Sequence, residues 1–286
     1  MSATNNEQYK ADQRQGWNGV ADDWLKWWKV IEPASKNISR RMIELAKINE
    51  GSRVLDIATG IGEPSITVAY QVGESGYVLA TDMSSKMLSI AKQRSVSLGL
   101  QDRMDFKECD AETIDLPSLS FDAALCRFGL MFLPDIRAGL ANIYRSLVDG
   151  GFFSAAVWST PNKVPFITLT LDTIIKETKI SPPQSNSPGP FSLADENLLK
   201  DLFVKSGFKD VTTERVDMVL TLDSTDLFTR LVHETAEPVK AVLYNQTQEK
   251  RLEILRAITE AASQYVDKSS GVFSMSNEAI CIVGKK

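Results

Sequence analysis

Short apolar runs alternate with longer amphipathic stretches over residues 54–158, and this rhythm restricts the fold more than any other feature of the sequence. A run of about 4–8 apolar residues is typical of a buried strand, and a helical pattern between two such runs is typical of a crossover helix. The sequence therefore predicts an α/β fold with a doubly wound, mostly parallel sheet. The predicted strands are residues 54–58, 77–81, 104–109, 121–126, 152–158, 211–222 and 279–283.

The remaining segments predict helices before the sheet and a helical cap after its fifth strand. Apolar residues at helical spacing predict two N-terminal helices, 15–31 and 34–48, with a break at Pro33. The turn-rich run 181–190 is expected to be a linker, and residues 224–266 are expected to be mostly helical. Three regions follow: N-terminal helices (1–49), a sheet core (50–158), and cap insertions together with the last sheet elements (159–286).

The composition excludes several classes of site. The 286 residues carry 32 basic and 37 acidic side chains, for a net charge of −5, which argues against a nucleic-acid interface. Since His233 is the only histidine, a metal centre built on several imidazoles is not available, and we expect no metal site. The three cysteines have no C-x-x-C spacing, the first residues are polar, and no apolar run approaches the ~18 residues of a membrane span. These features predict a cytoplasmic protein without stable membrane insertion.

A glycine-containing turn after the first strand points to an adenosine-containing ligand. Gly60 and Gly62 match two positions of the dinucleotide fingerprint G-x-G-x-x-G, but Ser65 stands at the third. Asp56 lies inside the preceding strand, where a carboxylate suits an ammonium group better than a pyrophosphate. S-adenosylmethionine combines an ammonium, a carboxylate and an adenosine without phosphate. Ser65 and Asp56 therefore disfavour an NAD-dependent oxidoreductase.

Acidic residues also end the second and third predicted strands. Asp82 can accept two hydrogen bonds from a ribose diol, although NAD would use the same device. Asp110 can accept from an adenine amino group, and the backbone N–H of Ala111 can donate to the ring. Three acidic strand ends in order, with a glycine turn in the first, indicate a cofactor site.

With these residues in place, the chain resembles class I S-adenosylmethionine-dependent methyltransferases. The segments VLDIATGIGEP, VLATDMSSKML, ECDAETIDLP and FDAALCRFGLMFLPD are similar to successive motifs of that family, most closely of its ubiquinone/menaquinone-biosynthesis branch. The resemblance covers about residues 50–158 and implies a Rossmann-like, seven-stranded sheet whose last strand is antiparallel. The N-terminal helices, residues 1–49, are expected to cover the cofactor site.

The resemblance implies roles for individual residues. Asp56 and the glycine turn should surround the methionine part of the cofactor, with Ala58 in place of the family's first glycine. Asp82 should hold the ribose, Met83 should lie beside the adenine, and the segment from Cys126 should pass the methyl end. The expected cofactor-binding residues are Asp56, Ala58, Thr59, Gly60, Gly62, Asp82, Met83, Asp110, Ala111, Glu112, Cys126, Arg127 and Phe128.

Several residues keep two interpretations. The tryptophans of helix 15–31 either pack on the sheet, close over the cofactor and substrate, or lie on a membrane surface. His233 is either a packing residue of the cap or the one imidazole available as a general base. Arg127 either binds an anionic substrate group or forms a structural ion pair. The expected substrate or lid residues are Trp17, Trp24, Trp28 and Met131.

The predicted function is methyl transfer from S-adenosylmethionine to a small-molecule acceptor by in-line displacement. The apolar stretch after the fourth predicted strand allows an apolar or lipid-like acceptor. The alternative is a non-catalytic S-adenosylmethionine-binding or partner-regulating protein, because both functions need the same cofactor pocket. The acceptor atom and the oligomeric state stay open.

Overall fold

A computed structural model describes residues 3–181 and 187–286 and shows a seven-stranded sheet. The order of the strands across the sheet is β3-β2-β1-β4-β5-β7-β6, and β7 runs in the opposite direction to the other six. The predicted fold class, strand count and antiparallel last strand are therefore confirmed. The strands are β1 (Arg53–Ile57), β2 (Tyr77–Asp82), β3 (Met104–Glu108), β4 (Phe121–Arg127), β5 (Leu147–Trp158), β6 (Lys209–Leu222) and β7 (Phe273–Lys285).

Helices connect the parallel strands and build the cap. Ser84 and Asp135 cap the helices after β2 and β4, each accepting a backbone N–H from the first turn with its side chain, so both predicted helix starts are confirmed. The helices are α1 (Ala3–Leu45), α2 (Ser65–Val72), α3 (Ser85–Ser97), α4 (Ile136–Ser146), α5 (Pro165–Thr178), α6 (Glu196–Lys205), α7 (Thr225–Thr235), α8 (Glu237–Tyr244) and α9 (Gln248–Ala262).

The prediction of two N-terminal helices with a break at Pro33 is wrong. One continuous helix, α1, contains Pro33 in its interior. An interior proline costs a helix about 3 kcal/mol because it lacks an N–H and crowds the preceding turn. Packing on both sides of the proline offsets this cost: Trp27 is buried before it, and Ile38 and Met42 are fully buried after it.

The last two strands are longer than predicted and support the cap. β6 and β7 pair along most of their length, and β7 begins at Phe273 rather than at the predicted residue 279. Fully buried Phe228 of α7 contacts the ring of Phe273, so the cap helices have an apolar core of their own at this ribbon. Residues 182–186 of the predicted linker lie outside the described residues, and the boundaries of the three predicted regions stay predictions.

Candidate functional site

A cavity lies at the carboxyl ends of β1 to β4, which is the edge where open α/β sheets bind ligands. One face of α1 covers it, so helix and sheet loops together enclose the space. The predicted site residues that line it are Trp17, Trp24, Trp28, Ala58, Thr59, Gly60, Asp82, Met83, Asp110, Ala111, Glu112, Arg127 and Phe128.

The two glycines of the turn after β1 serve different purposes. Gly60 has φ +57°, and a Cβ built on it would meet no atom within 4 Å, so this glycine leaves open space at the cavity wall. Gly62 has φ +104° and does not line the cavity. A Cβ on Gly62 would lie 3.2 Å from the Cβ of Ala91, so this glycine lets α3 pack against the turn.

The turn continues with an alanine in an unfavourable conformation. Ala58 stands at the first glycine position implied by the resemblance and has φ +56°, in the left-handed region that costs a non-glycine residue about 1–2 kcal/mol. Its Cβ faces Gly129, where an added Cβ would come within 2.6 Å of it. The side chain that Ala58 adds is therefore accommodated by a glycine from the loop after β4.

Asp82 joins the ends of β1 and β2. Its Oδ2 accepts the backbone N–H of Gly60 at 2.8 Å, and its Oδ1 accepts the N–H of Ser84 at 2.8 Å. Burial raises the pKa of this carboxyl, while the backbone donors oppose that rise. Each carboxylate oxygen has a second lone pair, so Asp82 can accept two further hydrogen bonds from a ligand in the cavity.

Asp56 lies one layer below the cavity and is fully buried. Its Oδ2 accepts the hydroxyl of Ser65 at 2.5 Å, and Ser65 lies 2.7 Å from the Thr59 hydroxyl, which reaches the cavity wall. The residue that breaks the dinucleotide fingerprint is thus the hydrogen-bond partner of Asp56. Burial raises the pKa of Asp56 to about 6, and its Oδ1 has no hydrogen-bond partner among residues 3–181 and 187–286.

A lysine from α1 closes the cavity at the end of β3. The Lys10 ammonium lies 2.8 Å from Asp110 and 2.5 Å from Glu112. The backbone N–H of Glu112 donates to Asp110, and Glu112 accepts the backbone N–H of Asp135. The two predicted acidic residues are therefore held together by a residue that the sequence interpretation did not select.

Two arginine–glutamate pairs line the opposite end of the cavity. Arg127 at the end of β4 makes a two-point contact with Glu32 of α1, at 2.9 and 3.2 Å, and donates to Ser39 at 2.7 Å. Arg94 of α3 lies 3.2 Å from Glu63 and donates to the carbonyl of Ile61. All four charged side chains are largely removed from solvent and line the cavity.

Aromatic side chains form much of the remaining wall. Trp17 makes edge contacts with Trp24 and Phe132, and Arg94 lies over the ring of Trp28 at 4.4 Å. Trp24 also donates its indole N–H to the carbonyl of Thr235 in the cap. These rings face the cavity or the cap, which supports the lid interpretation of the helix over the membrane-surface interpretation.

Phe128 takes a strained backbone conformation where β4 ends. Its φ is +60°, and its ring stacks on Trp158 at 4.1 Å. Its backbone N–H donates to the carbonyl of Ala156 in β5. Because non-glycine residues with positive φ persist only where surroundings hold them, this strain marks a position fixed by packing at the cavity wall.

Three other predicted site residues do not reach the cavity. Cys126 is fully buried in β4, and burial raises its thiol pKa to about 12. Met131 is buried in the main core and does not line the cavity, which argues against its predicted contact with substrate. His233 lies on α7 in the cap, where burial lowers its pKa and Glu234 and Lys240 are its charged neighbours. The structure therefore does not bring the single imidazole to the site.

Four charged residues of the cavity were missed by sequence interpretation: Lys10, Glu32, Glu63 and Arg94. Glu63 directly follows the glycine turn, and this adjacency was a usable signal. Lys10 precedes the predicted helix start at residue 15, and Glu32 was placed beside a supposed helix break. The continuous α1 is what carries both residues to the cavity.

The residues present fit the cofactor that the sequence predicts. Gly60 leaves open space at the turn, and Asp56 offers a buried carboxylate oxygen without a partner near the same turn. Asp82 and Asp110 provide hydrogen-bond acceptors at the next two strand ends. A diol and an adenine amine can therefore be matched by Asp82 and Asp110, while Asp56 lies behind the turn and does not line the cavity itself. Among the described residues there is no cluster of metal-binding side chains, and no helix there is both long and apolar enough to span a membrane.

Comparison with known proteins agrees with this geometry. Residues 54–151 match the family described as "Methyltransferase domain". The chain is 36% identical over 112 residues to the ubiquinone/menaquinone biosynthesis C-methyltransferase UbiE of Xanthomonas oryzae pv. oryzae, a match that covers 39% of this chain and 44% of the relative. The chain thus spans less than half the length of this curated relative.

Solved structures share the fold at low sequence identity. A SAM-dependent methyltransferase from Aquifex aeolicus has a TM-score of 0.51 and 20% identity, covering 68% of this chain and 92% of that one. Phosphoethanolamine N-methyltransferase 2 of Haemonchus contortus, in complex with S-adenosyl-L-methionine, has a TM-score of 0.55 and 18% identity, covering 90% and 56%. The predicted fold class and the predicted family resemblance are confirmed.

Proposed function

We propose that this chain, whose residues 54–151 match the family described as "Methyltransferase domain", transfers a methyl group from S-adenosylmethionine to a small-molecule acceptor. One observation carries the proposal: Asp56, Asp82 and Asp110 mark the ends of three neighbouring strands beside the open turn at Gly60. A single ligand that extends across β1, β2 and β3 would meet the Gly60 turn in front of Asp56, then Asp82 and Asp110.

The residues of the chain position the reactants rather than attack them. S-adenosylmethionine, when bound, supplies a methyl group on a sulfonium that is already activated for displacement. Asp82 and the Gly60 turn fix the cofactor along the sheet edge, while α1 excludes water from above. Orientation and desolvation are the contributions that in-line displacement needs. Because His233 lies in the cap, the site does not depend on an imidazole.

The acceptor is proposed to be small and largely apolar. Trp24, Trp28, Ile31 and Phe128 contribute apolar surface to the cavity wall. A lipid-like acceptor fits the same surface. We also propose a cytoplasmic location, which the free thiols of Cys109, Cys126 and Cys281 support.

Calorimetric titration with S-adenosylmethionine and S-adenosylhomocysteine tests the cofactor site. Asp82→Ala should weaken binding about 100-fold, because two hydrogen bonds to a buried carboxylate contribute about 3 kcal/mol together. Asp105→Ala is the matched control: this exposed aspartate of β3 contacts the Tyr77 hydroxyl and does not line the cavity. No binding by the natural protein, or equal affinity in both variants, would contradict the proposal.

A turnover assay then separates an enzyme from a cofactor-binding protein without activity. The protein is incubated with S-adenosylmethionine and a panel of phenols, amines, quinols and carboxylic acids, and S-adenosylhomocysteine is measured. Acceptor-dependent product formation supports methyl transfer. Tight cofactor binding without product from any acceptor would favour the non-catalytic alternative.

A further inference from the structure

The Arg127 guanidinium has one hydrogen-bonding edge that the described part of the chain does not use. Glu32 takes one N–H from each of Nη1 and Nη2, and Ser39 takes the second N–H of Nη1. The Nε–H and the outer N–H of Nη2 donate to no atom among the residues that the structure describes. Those two parallel donors form the side edge of the guanidinium, which matches the two oxygens of a carboxylate.

The free edge belongs to a largely buried arginine and not to an exposed one. The Arg127 side chain is 11% exposed, and its charge is buried at the cavity wall. Burial alone would lower its pKa, but Glu32, Glu63 and Asp56 raise it, so the group stays charged. The Arg127 Nε is not among the buried atoms that lack a partner, so the unused edge is open to the cavity, where a ligand can reach it.

The order of the strands assigns this edge to the acceptor. The residues expected to hold adenine, ribose and methionine follow β3, β2 and β1, which are consecutive in the sheet. The next strand is β4, which ends at Arg127. Arg94, which donates to the carbonyl of Ile61 in the glycine turn, is better placed for the carboxylate of the methionine part.

We propose that the free edge of Arg127 binds a carboxylate of the methyl acceptor, so that the substrate is a small carboxylic acid with an apolar or aromatic body. Trp28, Ile31 and Phe128 line the cavity with Arg127 and provide contact surface for that body. Glu32 makes a two-point contact with the adjacent Nη1–Nη2 edge and fixes the plane of the guanidinium. This inference rests on the proposed function, because it takes the acceptor site to lie beside a cofactor.

Matched pairs of probes test the proposal on the natural protein. Four aromatic acids, 4-hydroxybenzoate, salicylate, indole-3-acetate and 3-phenylpropionate, are compared with their carboxamides. Binding to protein saturated with S-adenosylhomocysteine is measured by ligand-observed NMR and calorimetry. The amide keeps the shape but loses the charge and one acceptor oxygen, so at least one acid should bind about tenfold or more tightly than its amide.

Two variants locate that preference. Arg127→Lys keeps a positive charge for Glu32 but removes the planar edge, so it should abolish the tenfold preference. Ser39→Ala removes one contact of Arg127 and leaves the free edge intact, so the preference should persist. Far-UV circular dichroism and S-adenosylhomocysteine affinity report whether each variant is folded. If Arg127→Lys does not fold, the acid–amide comparison on the natural protein still decides.

Each other outcome overturns the inference. It is wrong if no acid binds below about 10 mM, if every amide binds as well as its acid, or if Arg127→Lys keeps the preference. It is also wrong if Arg127→Lys weakens S-adenosylhomocysteine about 100-fold, because Arg127 would then hold the cofactor. Failure of the natural protein to bind S-adenosylhomocysteine at all would instead refute the proposed function, so the two failures are distinguishable.

Discussion

A methyl group added at Gly60 should damage cofactor binding far more than it damages the fold. Gly60 has φ +57°, where alanine costs about 1–2 kcal/mol in the folded state. Alanine also lowers the conformational entropy of the unfolded chain, which stabilises the folded state by about 0.4–1 kcal/mol relative to glycine. Since the added Cβ meets no protein atom within 4 Å, Gly60→Ala should lose only about 1 kcal/mol, or about 2 °C in Tm.

The same methyl group would occupy the open space beside the turn where the cofactor is proposed to lie. Overpacking against a closely fitting neighbour costs about 1–3 kcal/mol, so the Kd for S-adenosylhomocysteine should rise about 10- to 100-fold. Gly99→Ala provides the matched control. Gly99 has φ +70°, has nothing within 4 Å of an added Cβ and does not line the cavity, so its variant should lose similar stability and bind normally.

Gly62→Ala should damage the stability of the fold more than Gly60→Ala does. A Cβ there would lie 3.0 Å from the Ile66 side chain and 3.2 Å from the Cβ of Ala91, in a backbone conformation that suits only glycine. Strain and overpacking together should cost about 3 kcal/mol or more. Thermal unfolding and calorimetry on all three variants decide the matter: normal affinity in Gly60→Ala, or a Tm loss in Gly62→Ala no larger than in Gly99→Ala, would refute the reasoning.

Three further changes test the site. Ala58→Gly should raise stability by about 0.5–1 kcal/mol, because it relieves the positive φ of Ala58. Gly129→Ala should then destabilise the Ala58→Gly protein less than the natural protein, because the 2.6 Å contact between the two Cβ positions disappears, and additive Tm changes would contradict this. Asp56 has a pKa of about 6 in the fold against 3.8 unfolded, so the cost of burying its ionised form is present in full above about pH 6 and is lost as the pH falls from about 6 toward 3.8. Asp56→Asn should therefore raise Tm more at about pH 8 than at about pH 5, and an equal gain at both would be inconsistent with the shift. Lys10→Met removes the ion pair that links α1 to Asp110 and holds the helix over the cavity, so stopped-flow fluorescence should show several-fold faster release of S-adenosylhomocysteine. An unchanged release rate would mean that this contact does not hold the helix there.

Local pattern was enough to predict the sheet and its ligand-binding edge. The strand ends at Asp56 and Asp82 are defined by short apolar runs, and the crossover rule then places them at one edge. The helix at 15–31 was predicted from its tryptophans, but Pro33 suggested a break that packing overrides. Local propensity gives no information on the buried contacts of Ile38 and Met42 that stabilise the helix across that proline.

The ion pairs that line the cavity could not be predicted from the sequence, for a related reason. In the pairs Lys10–Asp110 and Glu32–Arg127, one partner belongs to α1 and the other to a strand end far away in the chain. No spacing rule connects such residues, since they meet only after the helix has packed across the sheet edge.

Buried ion pairs of this kind add little net stability, because desolvation offsets most of their attraction, yet removing one partner is costly. Their presence along the cavity therefore needs an explanation other than stability. A preorganised set of fixed charges can orient a zwitterionic cofactor and a charged acceptor without rearranging when they bind. The unused edge of Arg127 beside its two-point contact with Glu32 is consistent with this purpose, because the ion pair fixes the guanidinium while two donors stay open to a ligand.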